Sequence, residues 1–251
     1  PRYPLRGSGI AAGDFVAGPL EDWTTGALRL DGTRQHLVAT HEAISKPFTY
    51  TATDRKTKRK EQHTVPGANK QTPDIHDSDM LIEVYVQVHD GDAGVLVQKR
   101  DEQAGYELVV LEDGALELRL TQGGEGVATR RSAKPIADGA WHHVVAEVTR
   151  GEADGLRIYL DGADASGRGE GAAPGGSLAN SGDLLVGGGP NLDHLGCTID
   201  FLRICRGTLA KSRTDIAELY AWQFDGPQYR DFCGNDIQGA RRDAGAVEYG
   251  E

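Results

Sequence analysis

The side chains best equipped for chemistry here are histidines, carboxylates and cysteines, and their spacing restricts what that chemistry can be. "GAWHHVVAEV", residues 139–148, sets His142 beside His143 directly after Trp141. That leaves three roles open: a metal site, a proton-transfer pair, or the entrance to a strand. The run alternates apolar and polar residues, and on a strand successive side chains face opposite ways. Trp141, His143, Val145 and Glu147 then share one face, while His142, Val144, Ala146 and Val148 share the other. Histidines that point apart cannot both ligate one metal ion without a bulge, and the His-Glu-x-x-His zinc pattern is absent. These residues report a fold, not a reaction.

Glycoside hydrolysis needs two carboxylates flanking a sugar-binding groove. "ELVVLEDGALEL" offers Glu107, Glu112, Asp113 and Glu117, but Glu112 and Asp113 occupy an evident turn and read as solvated charges. Serine nucleophile elbows and phosphate-cradling loops are missing, and "GGGP" at 187–190 precedes no helix. The three cysteines, Cys197, Cys205 and Cys233, lack Cys-x-x-Cys spacing. Cys197 and Cys205 would sit on one strand, about 25 Å apart, too far to bridge. A Cys205–Cys233 bridge would pin the tail to the body of the protein, and a Cys197–Cys233 bridge stays open.

These groups must be positioned by β structure. The chain has 34 glycines but one methionine and five phenylalanines, which suits short strands joined by tight turns. "ALRLDGTRQHLVA" reads as strand, turn, strand, hairpin-like, with the turn at Asp31 and Gly32. "MLIEVYVQVHD", "AGVLVQKRD", "GYELVVLEDG" and "ALELRLTQG" read as an antiparallel meander. "WHHVVAEVTRG", "GLRIYLDGAD", "GDLLVGGG" and "CTIDFLRICRG" continue it, and only "SRTDIAELYAW" has helical spacing, with Ser212 as its cap. Strands with one apolar face require a second sheet to cover it, so the expected fold is an all-β antiparallel sandwich with one short C-terminal helix. Residues 1–25 read as an extended arm or the end of an upstream domain, residues 26–221 as the sandwich, and residues 222–251 as a wrapping tail. Residues 46–78, with the basic run "DRKTKRKEQH", form an inserted excursion, expected as a protruding hairpin.

A formal net charge of −11 repels phosphate backbones, so nucleic acid is a poor partner. No apolar stretch approaches the roughly 18 to 20 residues needed to span a bilayer. An acidic, glycine-rich chain of this kind suits a secreted, periplasmic or cell-surface setting.

The order of these motifs resembles the laminin G-like branch of the concanavalin A-like lectin and glucanase superfamily. "DGAWHHVVAEVTRGEADGLRIYLDG" carries the resemblance most clearly: a Trp-His pair before a strand, then a second strand ending in Tyr-x-Asp-Gly. It implies a jelly-roll sandwich in which Trp141 fills space between the sheets and a neighbouring histidine satisfies turn backbone. It also implies a structural calcium ion, with Asp31, Gly32 and Asp200 at the matching positions. Alginate-type lyases of the superfamily use Gln-x-His on one strand to abstract a proton, and "VYVQVHDGD" has Gln87 and His89 so spaced. Their arginine- and tyrosine-bearing strands have no counterpart here. Residues 222–251 resemble a tail that ends many secreted bacterial proteins acting on polysaccharides, which implies a terminal piece of a larger protein.

The expected function is a non-catalytic recognition module binding a glycan or a protein surface. Tyr50, Tyr85, Tyr106, Tyr159 and Trp222 are the candidate sugar-stacking platforms. The alternatives are a polysaccharide lyase or glycosidase, and an assembly subunit within a larger complex.

Overall fold

The computed structural model describes residues 5–20, 24, 26–41, 48–53, 60–65, 75–123 and 126–225. In chain order the first strands are β1 (Arg6–Ser8), β2 (Phe15–Val16), β3 (Ala27–Asp31), β4 (His36–Ala39), β5 (Phe48–Thr53) and β6 (Lys60–Val65). Next come β7 (Met80–Val88), β8 (Gly94–Arg100), β9 (Ala104–Val110), β10 (Ala115–Gln122), β11 (Gly126–Pro135) and β12 (Trp141–Val148). The last are β13 (Leu156–Leu160), β14 (Ala163–Asp164), β15 (Ser166–Glu170), β16 (Leu184–Val186) and β17 (Gly196–Arg206), followed by the helix α1 (Ile216–Asp225).

Two antiparallel sheets stack as a sandwich. One has eight strands in the order β1-β4-β16-β8-β9-β10-β11-β15, the other seven in the order β14-β13-β12-β7-β17-β3-β2. Period-2 alternation assigns the faces. Met80, Ile82, Val84, Val86 and Val88 of β7 and Val144, Ala146 and Val148 of β12 point inward, against Tyr106, Leu108, Leu116, Leu118 and Leu120 of the opposite sheet. On β17 the spacing stretches to three between inward-facing Ile199 and Leu202, because a bulge at Asp200 shifts its register against β7. The all-β sandwich with one short C-terminal helix is the observed architecture.

Local pairings differ from expectation at several places. β3 and β4 do not pair as a hairpin: β3 lies between β17 and β2, whereas β4 lies between β1 and β16 in the other sheet. With both edges of β3 taken, the turn at Gly32 carries the chain over the rim. The meander likewise begins at β8, because β7 belongs to the seven-stranded sheet. The N-terminal segment is woven in: β1 pairs with β4 and β2 with β3, so it edges both sheets. Gln35, 7% exposed, keys it there, its amide donating to Gly9 O at 3.1 Å and Asp14 Oδ2 at 2.7 Å. The excursion contains the hairpin β5–β6, a separate two-stranded sheet.

Asp215, not Ser212, caps α1. Its Oδ1 accepts the Glu218 N–H at 2.8 Å, while the Ser212 hydroxyl donates to Leu209 O. Trp141 stacks on Tyr85 at 5.6 Å and lies on the outer face of the seven-stranded sheet, not between the sheets. The strand parity that separates the two histidines dictates this, since Trp141 shares its face with His143.

A candidate ligand cleft at the sheet edge

The outer face of the seven-stranded sheet is sealed from within the chain. Leu81, Val145 and Tyr159 pack against Leu209 and Leu219 of the segment leading into and through α1. Two buried carboxylates lie under this cover. Glu83 Oε1 meets His143 Nε2 at 2.9 Å, and its Oε2 accepts from Arg203. Glu147 accepts the Leu209 N–H at 2.7 Å and the Tyr159 hydroxyl at 3.1 Å. Burial pushes the Glu83 carboxyl up, but Arg203 and His143 outweigh it and hold it below the usual range. Burial and the Glu147 charge push the Tyr159 hydroxyl up to about 12. The Tyr220 ring stacks over His143 at 5.8 Å. His142 bridges two rim carboxylates, Asp161 at 2.8 Å and Asp138 at 3.1 Å, so it serves turn side chains and not turn backbone.

The other anticipated residues are dispersed. Gln87 donates its amide to Gly139 O at 2.7 Å, closing the turn before β12, and β7 ends at Val88, leaving His89 exposed in the following turn. The two therefore do not share a strand as expected. Asp31 pairs with Gly196 across β3 and β17, four residues before Asp200, which puts the two about 13 Å apart along the strand. One calcium ion cannot take both. Asp31 Oδ1 is already occupied by the N–H groups of Thr33, Arg34 and Gln35, and Asp200 Oδ2 accepts the Leu20 N–H at 3.1 Å. Among the described residues no group of three or more His, Cys, Asp or Glu is placed to hold a metal ion.

Tyr85, Tyr106 and Tyr159 are buried at 9%, 1% and 7% exposure, so they offer no platform to a sugar. The side chains of Tyr50 on β5 and Trp222 on α1 lie outside the described residues, as does Cys233, and the Cys205–Cys233 bridge with it. Cys197 and Cys205 occupy opposite ends of β17. The Cys197 thiol is free, and burial followed by the nearby Asp92 charge pushes it up to about 12.

On the eight-stranded sheet, Glu107 and Glu117 are tied into an ion ladder. Arg100 reaches Glu107 at 3.2 Å, and Arg119 reaches Glu117 at 2.6 Å and Glu107 at 3.9 Å. At the β11–β15 edge this face opens into a cleft of about 310 Å³ lined by Asp113, Arg131, Ser132, Lys134, Pro135 and Arg168 among others. Two bulges build it, one in β11 between Arg131 and Pro135, opposite Ala115 and Glu117 of β10, the other in β15 between Ser166 and Gly169, opposite Arg130 and Ser132. Ser132, 7% exposed, fixes the bulged backbone by donating to Lys134 O at 2.6 Å and accepting the Leu116 N–H at 2.9 Å. Arg131 is held by Asp113 at 2.5 Å, which keeps the Asp113 carboxyl below its usual range. Lys134 and Arg168 are exposed and make no ion pair among the described residues. The sequence signal for this site is "RRSAKP", a cationic run inside a chain of net charge −11.

Residues 70–217 match the laminin G model of the concanavalin A-like lectin/glucanases superfamily, more than half of the chain, and the protein belongs to that family. A search of curated proteins by sequence returns no match. Similar solved structures include the binding domain of botulinum neurotoxin DC in complex with rat synaptotagmin II, at 10% identity and a TM-score of 0.55, with 88% of this chain aligned to 46% of that one. The same domain in complex with SialylT gives equal figures: 10% identity, TM-score 0.55, and coverage of 88% and 46%. A third concerns botulinum neurotoxin type C, whose cell entry is described as dependent upon interaction with two ganglioside molecules; identity is 9%, TM-score 0.52, coverage 88% and 46%. This chain spans a little under half of each of these, and likeness at such identities establishes the fold alone. No helix among the described residues is long and apolar enough to cross a membrane.

Proposed function

We propose that this chain is a recognition module of a larger extracellular protein, binding a glycan or a protein surface without transforming it. The observation that carries this is the cleft, where two exposed cations without ion-pair partners among the described residues border a small, backbone-built hollow. Membership in the concanavalin A-like lectin/glucanases superfamily supports it, as does the likeness of fold to binding domains in complex with rat synaptotagmin II and with SialylT. The groups best able to do acid–base work are meanwhile committed: His143 to Glu83, His142 to two aspartates, Gln87 to a turn carbonyl, and Glu107 and Glu117 to arginines. A general acid or base must reach its proton, and His143, Glu83 and Glu107 are buried at 1%, 3% and 7% exposure.

A glycan array run with the purified chain, in calcium and in chelator, tests the proposal and reads any ion dependence at once. Selective, saturable binding with recovered ligand of unchanged length is the expected result. Shortened or unsaturated product on the array would establish an enzyme instead. Light scattering at micromolar concentration addresses assembly: a monomer argues against a subunit role.

A further inference from the structure

We propose that the cleft between β11 and β15 binds the acidic group of a carboxylate- or sulfate-bearing saccharide, which rests on the recognition function proposed above and names its ligand chemistry. Arg131, Lys134 and Arg168 face one carboxylate, Asp113, in a single hollow. The local balance is thus two positive charges in excess on a chain whose total is −11. Like charges gathered at one place repel, and an entering anion relieves that cost. Arg131 has one terminal nitrogen engaged by Asp113. A guanidinium has five N–H donors in a fixed fork, so the partner that orients it leaves others for an anion.

The two strands approach closely at this edge. A Cβ at Gly167 would come within 3.1 Å of Ala133 N and Arg131 O, so β15 lies close against the bulged stretch of β11. A volume of about 310 Å³ lies at the small end of ligand pockets. Among the described residues the apolar lining is limited to Ala115, Ala133 and Pro135, with no aromatic ring on which a neutral sugar would stack and no deep pocket for a peptide anchor. Hydroxyls and an anionic group on a small ring match a shallow, polar, cationic site best.

The test is calorimetry on the full chain with four probes of equal length: a sulfated oligosaccharide, a polyuronate, a neutral oligosaccharide and poly-glutamate. The acidic saccharides are expected to bind, and more weakly as salt rises. Lys134→Ala and Arg168→Ala should each weaken binding about tenfold, the loss of one charge-assisted hydrogen bond. Both side chains are exposed, so melting temperatures should hold and keep the comparison clean. Unchanged affinity in both variants overturns the assignment of the cleft. Preference for the neutral saccharide overturns the acidic chemistry yet leaves a recognition module standing, and equal binding of poly-glutamate transfers the site to acidic peptides. Silence toward all four, with an array equally silent, sinks both proposals together.

Discussion

Removing the Glu83 carboxylate should cost more stability than almost any other single polar change in the sandwich. Glu83 is 3% exposed, sits mid-way along β7, and is the shared acceptor for His143, 1% exposed, and Arg203. Glu83→Ala strands two donors under α1 and leaves a cavity. Breaking a buried pair by deleting one partner costs roughly 3 to 5 kcal/mol. The Arg203 side chain keeps 24% of its surface exposed and can turn toward water, which places the expected loss near the lower end, about 3 kcal/mol. Glu83→Gln preserves volume and one acceptor but not the charge, and should lose about 1 to 2 kcal/mol. Urea unfolding followed by tryptophan fluorescence measures both, with an unchanged m-value as the sign that only stability moved. The acid limb provides a second check. A carboxyl held below its unfolded value contributes stability that is present above that value and disappears as pH falls. The glutamine variant should therefore unfold less steeply in acid than the parent. A loss under 1 kcal/mol for Glu83→Ala, or equal losses for alanine and glutamine, would refute the account of this network as a charge-paired clamp.

Three further outcomes follow from single residues. Asp101 accepts N–H groups from Gln103, Ala104 and Ser181; burial pushes its carboxyl up, but these bonds outweigh it and hold it at about 2, so the stability it adds should fade as pH drops from 3.8 toward that value. Asp101→Asn should flatten the fall in melting temperature across that window. Gly32 has φ +68° with Gly196 N only 2.8 Å from its would-be Cβ, so Gly32→Ala should cost about 1 to 3 kcal/mol in a thermal melt, while Gly91→Ala, left-handed at φ +84° with open space around it, should cost less. Cys197, with its thiol pushed up to about 12, should resist iodoacetamide at pH 8 in the native state and label fully in denaturant, as read by mass spectrometry.

Much of this architecture was legible from alternation alone, because a two-residue period survives whatever the partner strand is. The faces of β12 follow directly from "WHHVVAEV", whereas the bulge at Asp200 does not, because alternation alone would set Ile199 and Phe201 on one face and only the pairing with β7 separates them. Pairing was less legible. "ALRLDGTRQHLVA" looks like a hairpin locally, and only β17, far along the chain, determines that β3 and β4 lie in different sheets. The candidate site was hardest to see, since Lys134 and Arg168 come together through two register shifts that no local pattern reveals. Charge is visible in a sequence, but charge convergence depends on pairing.

The two sheets are covered differently, and the proposed recognition site follows that difference. β7 and β12 bury apolar side chains on both faces, one against the opposite sheet and one beneath α1, so their embedded Glu83, His143 and Glu147 need internal partners to be tolerated at all. The same requirement explains why His143 is structural: at 1% exposure beneath α1, its Nε2 finds its partner in Glu83 of the same chain. At the β11–β15 edge no α1 is needed as cover, and bulges there can interrupt the ladder without exposing core. Cations at that edge can keep unspent hydrogen-bonding capacity at little cost, because water satisfies it until a ligand arrives. Paired charges under the helix thus maintain the fold, while Lys134 and Arg168, without ion pairs among the described residues, stand at the bulged edge where the proposed ligand would bind.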